Sequence, residues 1–250
     1  MEIRRYQQIA SKALKTMVLL KHGQVRAYLP ETKWFNRETL FYMLEKYASV
    51  YIKPDKGGGG AGIIRVRKWN EKSYECCSPY GCSIVASSQL FKWIEQRFLP
   101  KKRYIVQQGI SLATVHGRPF DLRIFLQKPE NEWKVTGIVA KIAAPGKIVT
   151  NYCKGGTPCN AVQALLSITK NNYGKTKGHL KEISFLSKRV AKILNNKFIG
   201  LKELGIDAGI DQQGKLWIFE VNTRPQFKMF SKLPDLGMYR QIIKNHRKII

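Results

Sequence analysis

The chain has 250 residues, 44% of them hydrophobic, which supplies a full core and excludes a disordered tail. Its 44 Lys and Arg against 17 Asp and Glu leave a net charge of +27, so anionic partners are favoured, although the excess identifies no fold. No apolar run approaches the roughly 18 residues of a membrane-spanning helix, and the start, Met1 to Gln8, lacks the apolar stretch of a signal peptide, so the reading is a soluble, cytoplasmic protein.

Ile3, Tyr6, Ile9, Ala10, Ala13, Leu14, Met17 and Val18 recur at helical spacing among Arg and Lys, which predicts a basic amphipathic helix over the first 25 residues. Asn36 is placed to cap a second helix whose stripe is Leu40, Met43, Leu44 and Tyr47. Ser49 to Lys53 reads as a strand, closed by Pro54 and a glycine loop, and Gly62 to Arg67 alternates as the next strand. A hairpin about Pro79-Tyr80-Gly81 and a short helix from Ser88 follow. Later strand regions are Tyr104 to Gln107, Arg118 to Lys128, Trp133 to Ile142 and Gly205 to Asn222. A long helix is predicted near 179 to 200, with lysines on its outer face, and Asn171 to Gly178 before it has the composition of a mobile loop. Basic charge is present in every fifty-residue segment and is richest from 151 to 200. The cysteines Cys76, Cys77, Cys82, Cys153 and Cys159 are odd in number and form no C-x-x-C pair, so they read as idle thiols in a reducing compartment.

The loop Gly57-Gly58-Gly59-Gly60-Ala61-Gly62 matches G-x-G-x-x-G, but a dinucleotide fold requires a helix after it and here a strand follows. A Walker A loop would need Lys and Ser or Thr where Ile63 and Ile64 stand, and the H-R-D and D-F-G signatures of a kinase are absent. What remains is a strand, Lys53, a glycine flap and a strand. Such a flap can lay amide hydrogens against phosphate oxygens that Lys53 meets as a point charge, or it is simply a flexible hairpin.

Carboxylates are scarce after Glu132: Glu182, Glu203, Asp207, Asp211, Glu220 and Asp235. With a turn at Asp211-Gln212-Gln213-Gly214 and Ile210 paired to Lys215, Asp207 falls opposite Ile218. Ile206, Ala208, Ile210, Trp217, Phe219 and Val221 then form a core face, while Asp207, Glu220 and Asn222 lie on the other. In that register Asp207 and Glu220 are diagonal neighbours about 7 to 8 Å apart, able to converge on one metal ion or on two about 3.5 to 4 Å apart. Two carboxylates and a carboxamide suit Mg²⁺ that also holds substrate phosphates. Asp211, first in its turn, is read as a backbone cap.

Six segments in order carry a resemblance: Ala27-Tyr28-Leu29-Pro30-Glu31-Thr32, Tyr51-Ile52-Lys53-Pro54, Tyr104-Ile105-Val106-Gln107-Gln108-Gly109-Ile110, Arg118-Pro119-Phe120-Asp121-Leu122-Arg123, Thr150-Asn151 with Gly155-Gly156, and Glu220-Val221-Asn222-Thr223-Arg224-Pro225. Together they resemble the YheC/YheD group of endospore-coat-associated proteins in the ATP-grasp superfamily. The resemblance implies an α+β fold in which two subdomains grip ATP, here without most of the usual N-terminal domain. The grasp region would be 26–250, with a smaller subdomain at 48–106, a larger one at 107–230 and a basic C-terminal segment at 231–250. By resemblance, Lys53 would hold the α- and β-phosphates. Gly57, Gly58, Gly59, Gly60, Ala61 and Gly62 would close over the β- and γ-phosphates, and Gln107, Gln108, Gly109 and Ile110 would lie against the adenine. Asp207, Glu220 and Asn222 would bind Mg²⁺, and Arg123 and Lys141 would face the γ-phosphate or the acyl phosphate made from it. Lys141 stands where such sequences usually show Arg.

The implied activity is ATP-dependent joining of a carboxylate to an amine on an anionic acceptor, which could be a small molecule, an acidic protein or a cell-wall or coat polymer. Spore-coat proteins are candidate partners, with a coat-associated location. Two alternatives are a coat component that binds nucleotide without turnover and a basic nucleic-acid binder. The second is disfavoured because charge is its only support and no zinc finger, RNP pattern or helix-turn-helix is present.

Overall fold

The computed structural model describes residues 7–98, 100–144 and 156–249. The start of the predicted first helix, Cys153 and the Thr150-Asn151-Gly155 part of the fifth motif lie outside the described residues. In chain order the helices are α1 (Lys12–Leu20), α2 (Gly23–Arg26), α3 (Arg37–Lys46), α4 (Leu90–Glu95), α5 (Ala161–Ile168), α6 (Tyr173–Lys197) and α7 (Gly237–Ile249). The strands are β1 (Thr32–Trp34), β2 (Ser49–Pro54), β3 (Ile64–Asn70), β4 (Ser73–Ser78), β5 (Gly81–Ala86), β6 (Tyr104–Gln108), β7 (Thr114–Val115), β8 (Arg118–Gln127), β9 (Lys134–Ile142), β10 (Thr157–Asn160), β11 (Glu203–Ile210) and β12 (Leu216–Asn222).

They form two antiparallel sheets. The first runs β1-β6-β2-β3-β4-β5 and the second β10-β9-β8-β11-β12, with β7 paired to β8. Helix α3 begins where the sequence places it, because the Asn36 side chain accepts the Thr39 amide at 2.7 Å and the Thr39 hydroxyl answers the Asn36 amide at 3.0 Å. Its buried Leu40, Met43 and Leu44 pack with Val50, Ile52, Val66 and Val106 on the first sheet.

Alternation along β8 and β11 divides the second sheet. Phe120, Leu122, Ile124, Ile206, Ala208 and Ile210 face the helices, against Leu165 of α5 and Ile183, Leu186 and Val190 of α6. The opposite face has two halves. At one end Phe125 and Val139 pack under Phe230, Leu233 and Ile242, and the His246 ring lies 2.8 Å from the buried Glu203 carboxylate, which anchors α7. At the other end the same face carries Asp121, Arg123, Lys141 and Asp207.

Three expectations are corrected. Asn171 to Gly178 is mostly helix, because the Asn172 side chain accepts the Lys175 amide at 2.9 Å and starts α6 at Tyr173. Cys77 and Cys82 are disulfide-bonded rather than idle, since the tight hairpin turn sets them directly opposite, Cα to Cα 4.0 Å, whereas Cys76 and Cys159 are free. Finally, α1 begins at Lys12, where Ser11 Oγ accepts the Leu14 amide at 3.0 Å and Asp55 Oδ1 accepts the Ala13 amide at 2.8 Å. The helix also turns a different face inward. Leu14 and Met17 are 42% and 54% exposed, while Lys12, Ala13, Lys15 and Leu19 are buried.

The inward lysines are tolerated because each finds an acceptor. Lys12 Nζ donates to the Gly57 carbonyl at 2.7 Å and Lys15 Nζ to the Ile9 carbonyl at 2.6 Å. Burial outweighs the attraction of Glu220 and pushes Lys15 down to about 8. A lysine whose folded value lies below its unfolded one costs stability at neutral pH, and that cost fades as pH rises from about 8 towards the unfolded value. Lys15→Met should therefore raise the melting temperature at pH 7, and its advantage over the wild type should shrink between about pH 8 and 10. A pH-independent difference in thermal scans would contradict this.

Candidate active site

The register of the β11–β12 hairpin differs from the one expected. Ile210 pairs with Leu216 and Ala208 with Ile218, but Asp207 pairs with Glu220, so Phe219 is the extra residue of a bulge. The turn is one residue longer than expected, which exchanges the faces of Leu216, Trp217 and Ile218, and the bulge then returns Val221 to the core face. Leu216, Ile218 and Val221 are in the core, whereas Trp217, Phe219, Glu220 and Asn222 are not, which corrects the placement of Trp217 and Phe219 on the core face. It also brings Glu220 directly opposite Asp207 instead of diagonal to it.

Asp207 is the centre of the cluster. Arg123, its neighbour across β8, places a guanidinium nitrogen 3.1 Å from Asp207 Oδ1. Lys141 Nζ, on the next strand, stands 3.1 Å from the same oxygen and 3.0 Å from Asp121 Oδ1. Asn222 Nδ2 donates to Asp207 Oδ2 at 3.1 Å. Gly205 makes room for this arrangement, since a Cβ there would lie 2.7 Å from an Arg123 guanidinium nitrogen and 2.6 Å from Pro225 Cβ. Burial works against the Asp207 charge, but Arg123 and Lys141 outweigh it and hold the carboxyl below its ordinary range. Burial likewise opposes the charge of Lys141, and Asp121 and Asp207 outweigh it, so its value is raised.

The first sheet supplies the facing wall. Lys53 Nζ donates to Gln107 Oε1 at 2.6 Å, and Gln107 Nε2 reaches the Thr32 hydroxyl at 3.0 Å and the Phe219 carbonyl at 3.3 Å, joining the two sheets. Burial pushes Lys53 down to about 8 despite the pull of Glu220. Glu220 lies 3.6 Å from Lys12 Nζ. Lys12, Lys53, Gln107, Phe219 and Glu220 line one small cavity. The loop from Gly57 to Gly62 joins β2 to β3, and Gly57, Gly59, Gly60 and Gly62 all have positive φ, a path that glycine alone follows at low cost. Gln108 and Gly109 are tied to the backbone by the Gln108 amide to the Glu31 carbonyl and the Gly109 amide to the Ser49 carbonyl, each 2.8 Å, and Ile110 follows half-buried. The structure thus gathers Lys53, Arg123, Lys141, Asp207, Glu220 and Asn222 in one place. Asp211 stands apart, accepting the Gln213 and Lys215 amides and the Trp217 indole.

Sequence reasoning missed Lys12 and Asp121. Asp121 sits inside a motif that had been singled out, but Lys12 looked like part of a solvated helix face. Among the described residues no three His, Cys, Asp or Glu side chains cluster as a self-sufficient metal site. Glu220, the Asn222 carbonyl oxygen and the remaining lone pairs of Asp207 are an oxygen-only donor set, which fits Mg²⁺ that shares its ligands with substrate phosphates.

Residues 6–248 match the family described as YheC/D like ATP-grasp. The chain belongs to that family. The endospore coat-associated protein YheD of Bacillus subtilis (strain 168) is 29% identical over 221 residues, 86% of this chain and 48% of the relative. The chain therefore spans about half the length of that relative. D-cycloserine synthetase DcsG superposes with a TM-score of 0.58 at 10% identity, covering 96% of this chain and 70% of its own. N5-carboxyaminoimidazole synthetase from Staphylococcus aureus, solved with ADP, gives 0.53 at 9% identity over 87% of this chain and 45% of its own. These likenesses establish the ATP-grasp fold, α+β, for the chain.

Asp207 is the carboxylate that the half-buried Arg123 and the buried Lys141 share, so Asp207→Asn should destabilise the protein by about 3 kcal/mol. Because its folded value is depressed, the stabilisation it gives is present above the ordinary carboxylate range and is lost as pH falls through the folded value. Urea unfolding of wild type and Asp207→Asn at pH 7 checks this. Equal midpoints would show that the cluster contributes nothing to stability.

Proposed function

We propose that this protein binds Mg-ATP between its two sheets and activates a carboxylate for attack by an amine. The observation that carries the reading is the charge balance of the cluster. Lys12, Lys53, Arg123 and Lys141 stand with Asp121, Asp207 and Glu220, an excess of cation over carboxylate that suits a polyphosphate arriving with its metal. Arg123 Nε is buried without a hydrogen-bond partner among the described residues, a donor available to an anionic oxygen.

In this reading Lys12 and Lys53 hold the phosphates under the glycine flap, and Gln107 to Ile110 border the adenine. Asp207, Glu220 and Asn222 hold Mg²⁺, which when bound offsets charge on the phosphoryl oxygens. Arg123 and Lys141 stabilise the transferring group as the bond from the γ-phosphorus to its bridging oxygen breaks and a bond to the acceptor carboxylate forms. The acyl phosphate then loses phosphate as the amine nitrogen bonds to the carbonyl carbon and gives up a proton. The names of the B. subtilis relatives suggest association with the endospore coat, and no helix among the described residues is long and apolar enough to cross a membrane.

Mg-ATP should raise the melting temperature, following mass action of about 2.7 kcal/mol at a hundredfold excess over Kd, and Lys53→Ala should remove most of the effect. Lys53 must be protonated to meet phosphate, so affinity should fall as pH rises above about 8 and Lys53→Arg should flatten that dependence. Glu220→Gln should weaken binding, while Asp211→Asn should affect only the turn. An unchanged melting curve at millimolar ATP would overturn the reading.

A further inference from the structure

A groove of about 680 Å³ runs between the α1–α2 turn and α6, away from the nucleotide cleft. Lys21, His22, Lys188, Arg189 and Lys192 line it, no acidic side chain does, and Phe185 stands in it 64% exposed. We propose that this groove docks an acidic stretch of polypeptide that carries an apolar side chain among its carboxylates.

The chemistry of the lining selects this partner. Four cations, Lys21, Lys188, Arg189 and Lys192, surround an exposed ring with the His22 imidazole beside them, a lining that matches a partner offering carboxylates together with an apolar contact. Lys188 and Lys192 are one helical turn apart, about 6 Å along the axis, close to the ~7 Å between alternate side chains of an extended peptide. Phe185 precedes Lys188 by three residues and shares its helix face, so an apolar side chain of the peptide can rest on the ring while flanking carboxylates reach the ammonium groups. Single-stranded nucleic acid fits less well. It needs successive aromatic platforms for successive bases, whereas the groove is lined by one phenyl ring, Phe185 on α6, and one imidazole, His22 at the α1–α2 turn. The docking site stands independently of nucleotide turnover, since none of its residues touches the cluster around Asp207.

Fluorescence anisotropy on the full chain tests the proposal, using a fluorescein-labelled decapeptide of glutamates with one central phenylalanine, its all-glutamate counterpart and a labelled oligothymidylate of equal length, at about 150 mM salt. Reversal of both groove charges, Lys188→Glu with Lys192→Glu, should weaken the phenylalanine-containing peptide at least about tenfold. An equal reversal on α7, Lys244→Glu with Arg247→Glu, should change it less than about twofold. Phe185→Ala should weaken the phenylalanine-containing peptide and leave the all-glutamate one unaffected, and as a single change at an exposed position it keeps the test decisive if the charge reversal disturbs folding. Equal losses in the groove and α7 variants would overturn the proposal, as would tighter binding of the oligothymidylate or indifference of the phenylalanine-containing peptide to Phe185→Ala.

Discussion

The carboxylate of Asp207 is enclosed by Arg123, Lys141 and Asn222, and the geometry of the cleft follows from keeping that charge satisfied. Arg123 can reach it only because residue 205 is glycine, and Lys141 can remain charged in the interior only because Asp121 shares it. Both cations come from the sheet face whose far half is sealed by α7, so the charged half is the part left to meet the first sheet. The bulge at Phe219 then sets Glu220 opposite Asp207, and Glu220 draws in Lys12 from the N-terminal helix. Removal of Asp207 leaves Arg123 without a carboxylate and Lys141 with only Asp121 in a poorly solvated place, where an unpaired ion is far more costly than an ion pair is beneficial.

Much of this was legible in the sequence because it depends on local rules. Asn36 ahead of the stripe Leu40, Met43 and Leu44 announces a cap, and alternation in Ser49 to Lys53 announces a strand. The acid at 207 and the Glu-x-Asn at 220 stand out because carboxylates are rare in the second half of the chain. What escaped depends on contacts that no window of sequence contains. Apolar residues occupy every position from Leu216 to Phe219, so their alternation does not say whether the turn ends at Gly214 or Lys215, and the shorter turn puts Trp217 and Phe219 on the core face. Lys12 is drawn inward by the Gly57 carbonyl and the Glu220 carboxylate, both remote in sequence, and Lys15 by the Ile9 carbonyl just ahead of the helix, which changes the helix face that hydrophobicity alone selects. The Cys77–Cys82 pair is different, since it lies across the hairpin that the sequence does announce at Pro79-Tyr80-Gly81, and it was missed because the odd cysteine count was read for the chain as a whole.

The positive charge described above falls into two settings. Inside the cleft, cations are matched to carboxylates with a small excess, an arrangement fitted to a compact polyanion carrying its own metal. On the outer face of α6 and at the α1–α2 turn the charges are exposed and unmatched by any lining carboxylate, an arrangement fitted to an extended partner. The N-terminal helix belongs to both regions, with Lys12 at its start facing the cleft and Lys21 just beyond its end facing the groove.

If the cations around Asp207 dominate the cleft, a free divalent metal should find it unattractive until a polyphosphate arrives. Calorimetric titration of Mg²⁺ at pH 7, with and without ADP, measures this directly. No saturable heat is expected for Mg²⁺ alone in the millimolar range, with stoichiometric binding once ADP is present. Tight, saturable Mg²⁺ binding to the nucleotide-free protein would contradict it.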